Sequence, residues 1–160
     1  MGKHVRWAAL AAIVVGLIGC DVGTKEAATR TLRGEQPMGL VAGVVDLRYA
    51  ENHDTAFNVL ERLGLSPKAP VLALAALAVL VGALAYWWRR RRRPLREHVP
   101  LALVVAGAVG NLVDRVRLGY VVDFIHVHHW PVFNVADVAV VLGVGLLVLQ
   151  SLRAQRPTAA

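Results

Sequence analysis

The sequence holds a single cysteine, Cys20, so it can form neither an internal disulfide nor a cysteine-built metal cluster. It is also short of charge: 18% of its 160 residues are charged, while 56% are hydrophobic. A soluble domain of this size rarely carries so much apolar material, and here it comes in blocks. Acids are scarcer than bases, 11 against 18, and the pI is near 10.5. Such an excess can mark a nucleic-acid binder. The placement of the bases excludes that class: Arg89 to Arg93 form one run directly after Tyr86-Trp87-Trp88, at the end of an apolar block. Membrane proteins put interfacial aromatics and cytoplasmic charge in that order. No internal repeat is present, and the Arg run is the one low-complexity segment.

The apolar blocks predict an all-α polytopic membrane protein with four transmembrane helices, at about residues 7–22, 70–88, 98–113 and 135–152. The whole chain, 1–160, reads as one membrane-embedded unit. Spans one, three and four reach crossing length only by including polar residues, all at one end. The N-terminus, the span two/three loop and the C-terminal tail hold ten Lys or Arg in short segments, with Glu97 as their one acid. The other two loops hold eight, diluted over longer segments that are rich in acids. Local Lys/Arg density sets orientation, so both termini are expected in the cytoplasm. Residues ~23–69 and ~116–133 are then outside.

The outer segments carry structure of their own. "VVDLRY" (Val44 to Tyr49) alternates apolar and polar residues, as a half-buried strand does. "YVVDFIHV" (Tyr120 to Val127) is β-branched and aromatic, a second strand pattern. A small sheet on the outer, periplasmic face is expected, with "TKEAATRTLRGE" as a short interfacial helix beside it.

Polar residues converge at the outer span ends. Span one ends with Asp21 and Lys25; span three ends with Asn111, Asp114 and Arg115; span four begins with Asn134 and Asp137. A carboxylate inside a span costs about 2.5–3.5 kcal/mol on insertion scales, so it faces a partner or a cavity. Asp21 with Lys25, and Asp114 with Arg115, read as ion pairs that neutralise buried charge. Asp123 and Asp137 have apolar neighbours and no basic residue close in sequence. If these two carboxylates meet in an apolar site, they share a proton, which is the acid/base chemistry of aspartic peptidases.

"GNLVDRVRLGYVVDFIHVHHWPVFNVADVAVVLG", the Asp21/Lys25 pair and "RYAENHDTAF" together resemble the bacterial lipoprotein signal peptidases (signal peptidase II), over nearly the whole chain and in order. The resemblance implies a cofactor-free aspartic endopeptidase of the bacterial cytoplasmic (inner) membrane. Such an enzyme removes the signal peptide from diacylglyceryl-modified prolipoproteins just before the lipidated Cys. It implies that Asp123 and Asp137 are the catalytic dyad. Asn52, Asn111, Arg115 and Asn134 would line the site and bind substrate or orient the acids. Asp21 and Lys25 would brace it, and Asp114 would support Arg115. Sensitivity to globomycin-type cyclic peptides is expected, and a monomer is the default. One departure stands out: His53-Asp54-Thr55-Ala56-Phe57 replaces the Gly-Ala-Ala-type stretch that often follows the first-loop Asn.

Three rival patterns remain. "LIGC" (Leu17 to Cys20) mimics a lipoprotein cleavage site after a basic n-region and an apolar h-region. Cleavage there would delete most of span one and leave one terminus outside, against the Lys/Arg distribution. "HVHHW" (His126 to Trp130) suggests a metal, but a zinc peptidase needs His-Glu-x-x-His or an equivalent ligand set, which is absent. A small proton- or ion-coupled transporter would also use intramembrane acids, but near the bilayer midplane rather than at the span ends.

Overall fold

The computed structural model describes residues 3–41, 43–53 and 69–154. Its elements are α1 (Lys3–Leu32), β1 (Met38–Val41), β2 (Val45–Asn52), α2 (Ala69–Arg89), α3 (Leu95–Leu118), β3 (Val121–Val127) and α4 (Val135–Ala154). Val5–Leu32, Leu95–Leu118 and Val135–Ala154 are long and apolar enough to cross a membrane. In α2 the described apolar stretch is Ala76–Arg89, which is shorter. Large apolar side chains point outward along the helices, among them Val15, Val79, Val141 and Leu142. An outward apolar face suits a lipid solvent.

Helix α1 corrects one expectation. The interfacial helix foreseen at "TKEAATRTLRGE" is no separate element; α1 runs on through it to Leu32. No proline breaks the chain there, and the Thr24, Thr29 and Thr31 hydroxyls turn back onto carbonyls of the same helix. The extension has a packing reason. Leu10, Asp21, Lys25, Ala28 and Leu32 are all buried, and their spacing puts them on one stripe. Asp21 and Lys25 face the bundle, while Ala28 and Leu32 pack with Phe124 under the sheet. Cys20 lies inside this continuous helix and is exposed.

Helices α3 and α4 form a close antiparallel seam. A Cβ added at Gly107 would overlap the Ala136 carbonyl oxygen, and one at Gly143 would stand 2.7 Å from the Pro100 carbonyl oxygen. Pro100 lies inside α3 and has no N–H to give the Arg96 carbonyl. Gln150 of α4 donates to that carbonyl instead, at 3.0 Å. Gly119 ends α3 with φ +83°, its N–H returning to the Arg115 carbonyl oxygen at 3.1 Å.

The sheet is antiparallel, in the order β1-β2-β3. β3 matches the second strand pattern, and β2 extends the first to Asn52. β1, whose residues are exposed throughout, adds an edge strand that no sequence pattern marked. The β2–β3 register shifts by one residue between Leu47↔Ile125 and Ala50↔Asp123. Such a bulge reverses which side chains face the partner. Without it Tyr49 and Glu51 would share a face with Asp123; with it Ala50 and Asn52 do.

Candidate active site

All nine residues expected at the site lie where the ends of α1, α3 and α4 meet β2 and β3. The N-terminus of α4 is the organising feature. Asn134 accepts from the Asp137 N–H at 3.0 Å, and Asp137 Oδ2 accepts from the Asn134 N–H at 3.2 Å. This reciprocal pair is a capping box, and it satisfies two of the backbone donors in the first turn. A third, the Ala136 N–H, goes to Asp21 Oδ1 on α1 at 2.9 Å. Asp137 is therefore oriented by the helix it begins.

Asp123 is brought to the same place by β3. It is 2% exposed. The Asn134 side-chain amide donates to its Oδ1 at 2.6 Å, and the Asn52 amide donates to its Oδ2 at 2.8 Å. Burial, reinforced by the nearby charge of Asp137, pushes the Asp123 carboxyl up to about 7; the Asn52 and Asn134 bonds oppose that rise. Asn111 completes the bridge. Its amide donates to Asp137 Oδ1 at 2.8 Å, and its oxygen accepts from Asn134 at 3.1 Å. The two acids thus belong to one continuous amide network, with Asn134 bonded to both.

Behind the amides stands a buried charge cluster. Lys25, 3% exposed, contacts Asp21 at 2.8 Å and Asp114 at 2.9 Å, and donates to Asn111 at 3.0 Å. Asp114 also accepts from the Val122 N–H at 3.1 Å, tying α3 to the start of β3. Sequence spacing suggested Arg115 as the partner of Asp114, but the ion pair formed is with Lys25, from another helix. One lysine between two carboxylates offsets desolvation of the cluster. Arg115 donates to the Asn111 carbonyl at 3.3 Å and borders the site. Gly110 makes room here: a Cβ on it would stand 2.5 Å from Asp21 Oδ2.

Sequence reasoning passed over the surroundings of Asn52. On the far face of β2, Tyr49 meets Tyr120 at 3.3 Å and Glu51 at 3.1 Å, and Arg33 from the end of α1 bonds Glu51 at 3.0 Å. The signal was the alternation Tyr49, Glu51, His53 along one strand face. His126, read as a possible metal ligand, has its Nδ1 2.9 Å from Asp46 Oδ2, and Asp46 also takes a bidentate pair from Arg48. These bonds hold the Asp46 carboxyl well below its ordinary range. The departure beginning at His53 is described only at that residue; Asp54, Thr55, Ala56 and Phe57 lie outside the described residues.

Known proteins share this fold. The chain aligns with two solved bacterial membrane enzyme structures determined by the in meso method. One is 26% identical, with TM-score 0.79, covering 91% of this chain and 94% of that one. The other has the same TM-score at 24% identity and supports the fold alone. The lipoprotein signal peptidase of Geobacter metallireducens is 41% identical over 141 residues, 85% of each chain. That of Geobacter sulfurreducens is 38% identical over 152 residues, covering 91% of this chain and 92% of its own. Residues 13–153 match the peptidase A8 family, signal peptidase (SPase) II. With relatives of equal length and a match across nearly all of its helices and sheet, the chain belongs to the signal peptidase II family.

Proposed function

We propose that this chain is an aspartic endopeptidase that cleaves diacylglyceryl-modified prolipoproteins before the lipidated Cys, with Asp123 and Asp137 as its dyad. Family membership supports the cleavage of prolipoprotein signal peptides and does not favour the transporter alternative. The observation that carries the dyad is the double role of Asn134, whose side-chain amide holds Asp123 while its backbone N–H holds Asp137.

Asp123 carries the shared proton, in keeping with its deeper burial. Asp137 is the base. It takes a proton from a water as that water attacks the scissile carbonyl, and Asp123 protonates the developing oxyanion. Asn52, Asn111 and Asn134 fix the acids, and Arg115 borders the substrate path. The chain acts as one membrane-embedded unit with four crossings, α2 included. Both termini are cytoplasmic, in the inner membrane, with the site near the outer face and sensitive to globomycin-type peptides. The substrate's signal helix enters from the bilayer while its acyl chains stay in lipid.

The test is cleavage of a diacylglyceryl-modified prolipoprotein by detergent-purified protein. Asp123→Asn and Asp137→Asn each keep shape but cannot titrate. Each is expected to lower turnover by at least about 10²–10⁴-fold while its melting temperature stays close to wild type. Normal turnover by either variant would remove that residue from the dyad.

A further inference from the structure

At the opposite end of the bundle, away from the acids, three rings cluster. Trp7 lies 6.3 Å from Trp87 and 5.7 Å from His98, and Trp87 lies 6.3 Å from His98. Arg6 sits over Trp7 and ties α1 to the turn between α2 and α3, donating to the Arg93 and Arg91 carbonyls at 3.1 Å each. His98 is fully buried, and its Nε2 donates to the Arg93 carbonyl at 2.9 Å. Among the described residues, two buried donors here have no hydrogen-bond partner, Arg6 Nε and Trp87 Nε1, and beside them His98 Nδ1, an acceptor while Nε2 carries the proton, has none either. Buried polar atoms are rarely left so, and a cluster of them points to an absent partner.

Trp7 and Trp87 of this cluster form the head of an apolar groove of about 650 Å³, which runs between α1 and α2 past Leu10, Val14 and Leu84. Trp88 stands at its edge with the Arg91 guanidinium stacked 4.8 Å over its ring. The segment that follows Trp88 carries Arg89 to Arg93 and Arg96, with Glu97 as its one acid, and Arg91 is the one of these seen over a groove residue. A ligand matching this shape has an anionic oxygen-rich head and a hydrocarbon tail. A free phosphate would leave the groove unused, and a neutral lipid would leave the arginines uncompensated.

We infer that this end of the bundle is a discrete site for one anionic phospholipid, its phosphate taken by Arg6 and Trp87 Nε1 under the Arg91 rim and one acyl chain lying in the α1–α2 groove. The site shares no residue with the acid cluster, so it stands apart from the proposed dyad. It gives α2 a second tie to α1, made through lipid.

Native mass spectrometry of the full-length protein in detergent tests this, with phosphatidylglycerol or phosphatidylcholine of identical chains. One phosphatidylglycerol is expected to stay bound, and phosphatidylcholine to bind at least several-fold more weakly. Trp87→Phe keeps the ring and removes the N–H; Arg6→Gln removes the charge. Each is expected to weaken phosphatidylglycerol binding roughly tenfold, the worth of one hydrogen bond to a charged group. Arg117→Gln, at the other end of α3, and Asp123→Asn should both bind as wild type. A lipid-free melt of Trp87→Phe shows that it folds, so its result counts even if Arg6→Gln does not fold. Equal retention of the two lipids would overturn the site, as would undiminished binding by Trp87→Phe. Displacement by glycerophosphate at equal concentration would reduce it to a bare phosphate site and overturn it equally.

Discussion

Single side chains hold this site together, and they can be tested singly. Asn52 holds the charged form of Asp123, so Asn52→Ala should move the titration of Asp123 above about 7. Because Asp123 is proposed to act as the acid, the alkaline limb of the pH–rate profile should move to higher pH. An unmoved limb would separate Asn52 from the dyad. Lys25→Met should be costly in a different way. It strands Asp21 and Asp114 without their cation, and loss of one partner from a buried ion cluster costs about 3–5 kcal/mol. Urea or thermal unfolding of the purified variant measures it. At this scale much was legible in the sequence. Asp123 and Asp137 stand out because ionisable groups amid apolar neighbours need a reason to be there. The role of Asn134 as a helix cap was legible too, in the spelling Asn-Val-Ala-Asp, but only to a reader looking for a capping box. The Lys25–Asp114 pair was not legible, because its partners lie on different helices and nothing in sequence spacing connects them.

Helices and strands pose their own constraints. Gly107 and Gly143 let α3 and α4 backbones approach so closely that a methyl group at Gly107 collides with a carbonyl oxygen. Gly107→Ala should therefore destabilise the protein by about 1–3 kcal/mol. Gly145 has nothing within 4 Å of a built Cβ, and Gly145→Ala should instead be neutral or stabilising by up to about 1 kcal/mol. Paired melts of the two variants check both signs; a neutral Gly107→Ala would deny the seam its importance. The sequence outlined the helical spans because hydrocarbon-length apolar runs are hard to hide. It did not show that α1 continues to Leu32, since Thr24 to Glu35 is polar enough to read as an independent surface helix. Nor did it show the β2 bulge, which arises from pairing with β3, although that one-residue shift is what turns Asn52 toward Asp123.

Taken whole, the molecule carries two carboxylates with opposite pH behaviour. Asp123 titrates higher folded than unfolded, so its contribution is present below about pH 4 and fades as pH rises through about 7. Asp46 titrates lower when folded, so its contribution is present above about pH 4 and is lost on acidification. Together they favour a stability maximum near pH 4, with stability falling as pH rises from there through about 7 and falling again on acidification. Melts across pH should show it, with Asp123→Asn flattening the alkaline side and Asp46→Asn the acid side; an alkaline slope unchanged in Asp123→Asn would contradict the first half. Helix α1 has one more consequence at this scale. It climbs unbroken from Lys3, so Asp21 stands about 27 Å along its axis, close to the ~30 Å of a hydrocarbon core. The helix is thus a ruler: it sets the height of Asp21 by counting turns from the basic end. A residue inserted into α1 below Asp21 would advance that acid by about 1.5 Å and about 100° of rotation, carrying it off the stripe that meets α4.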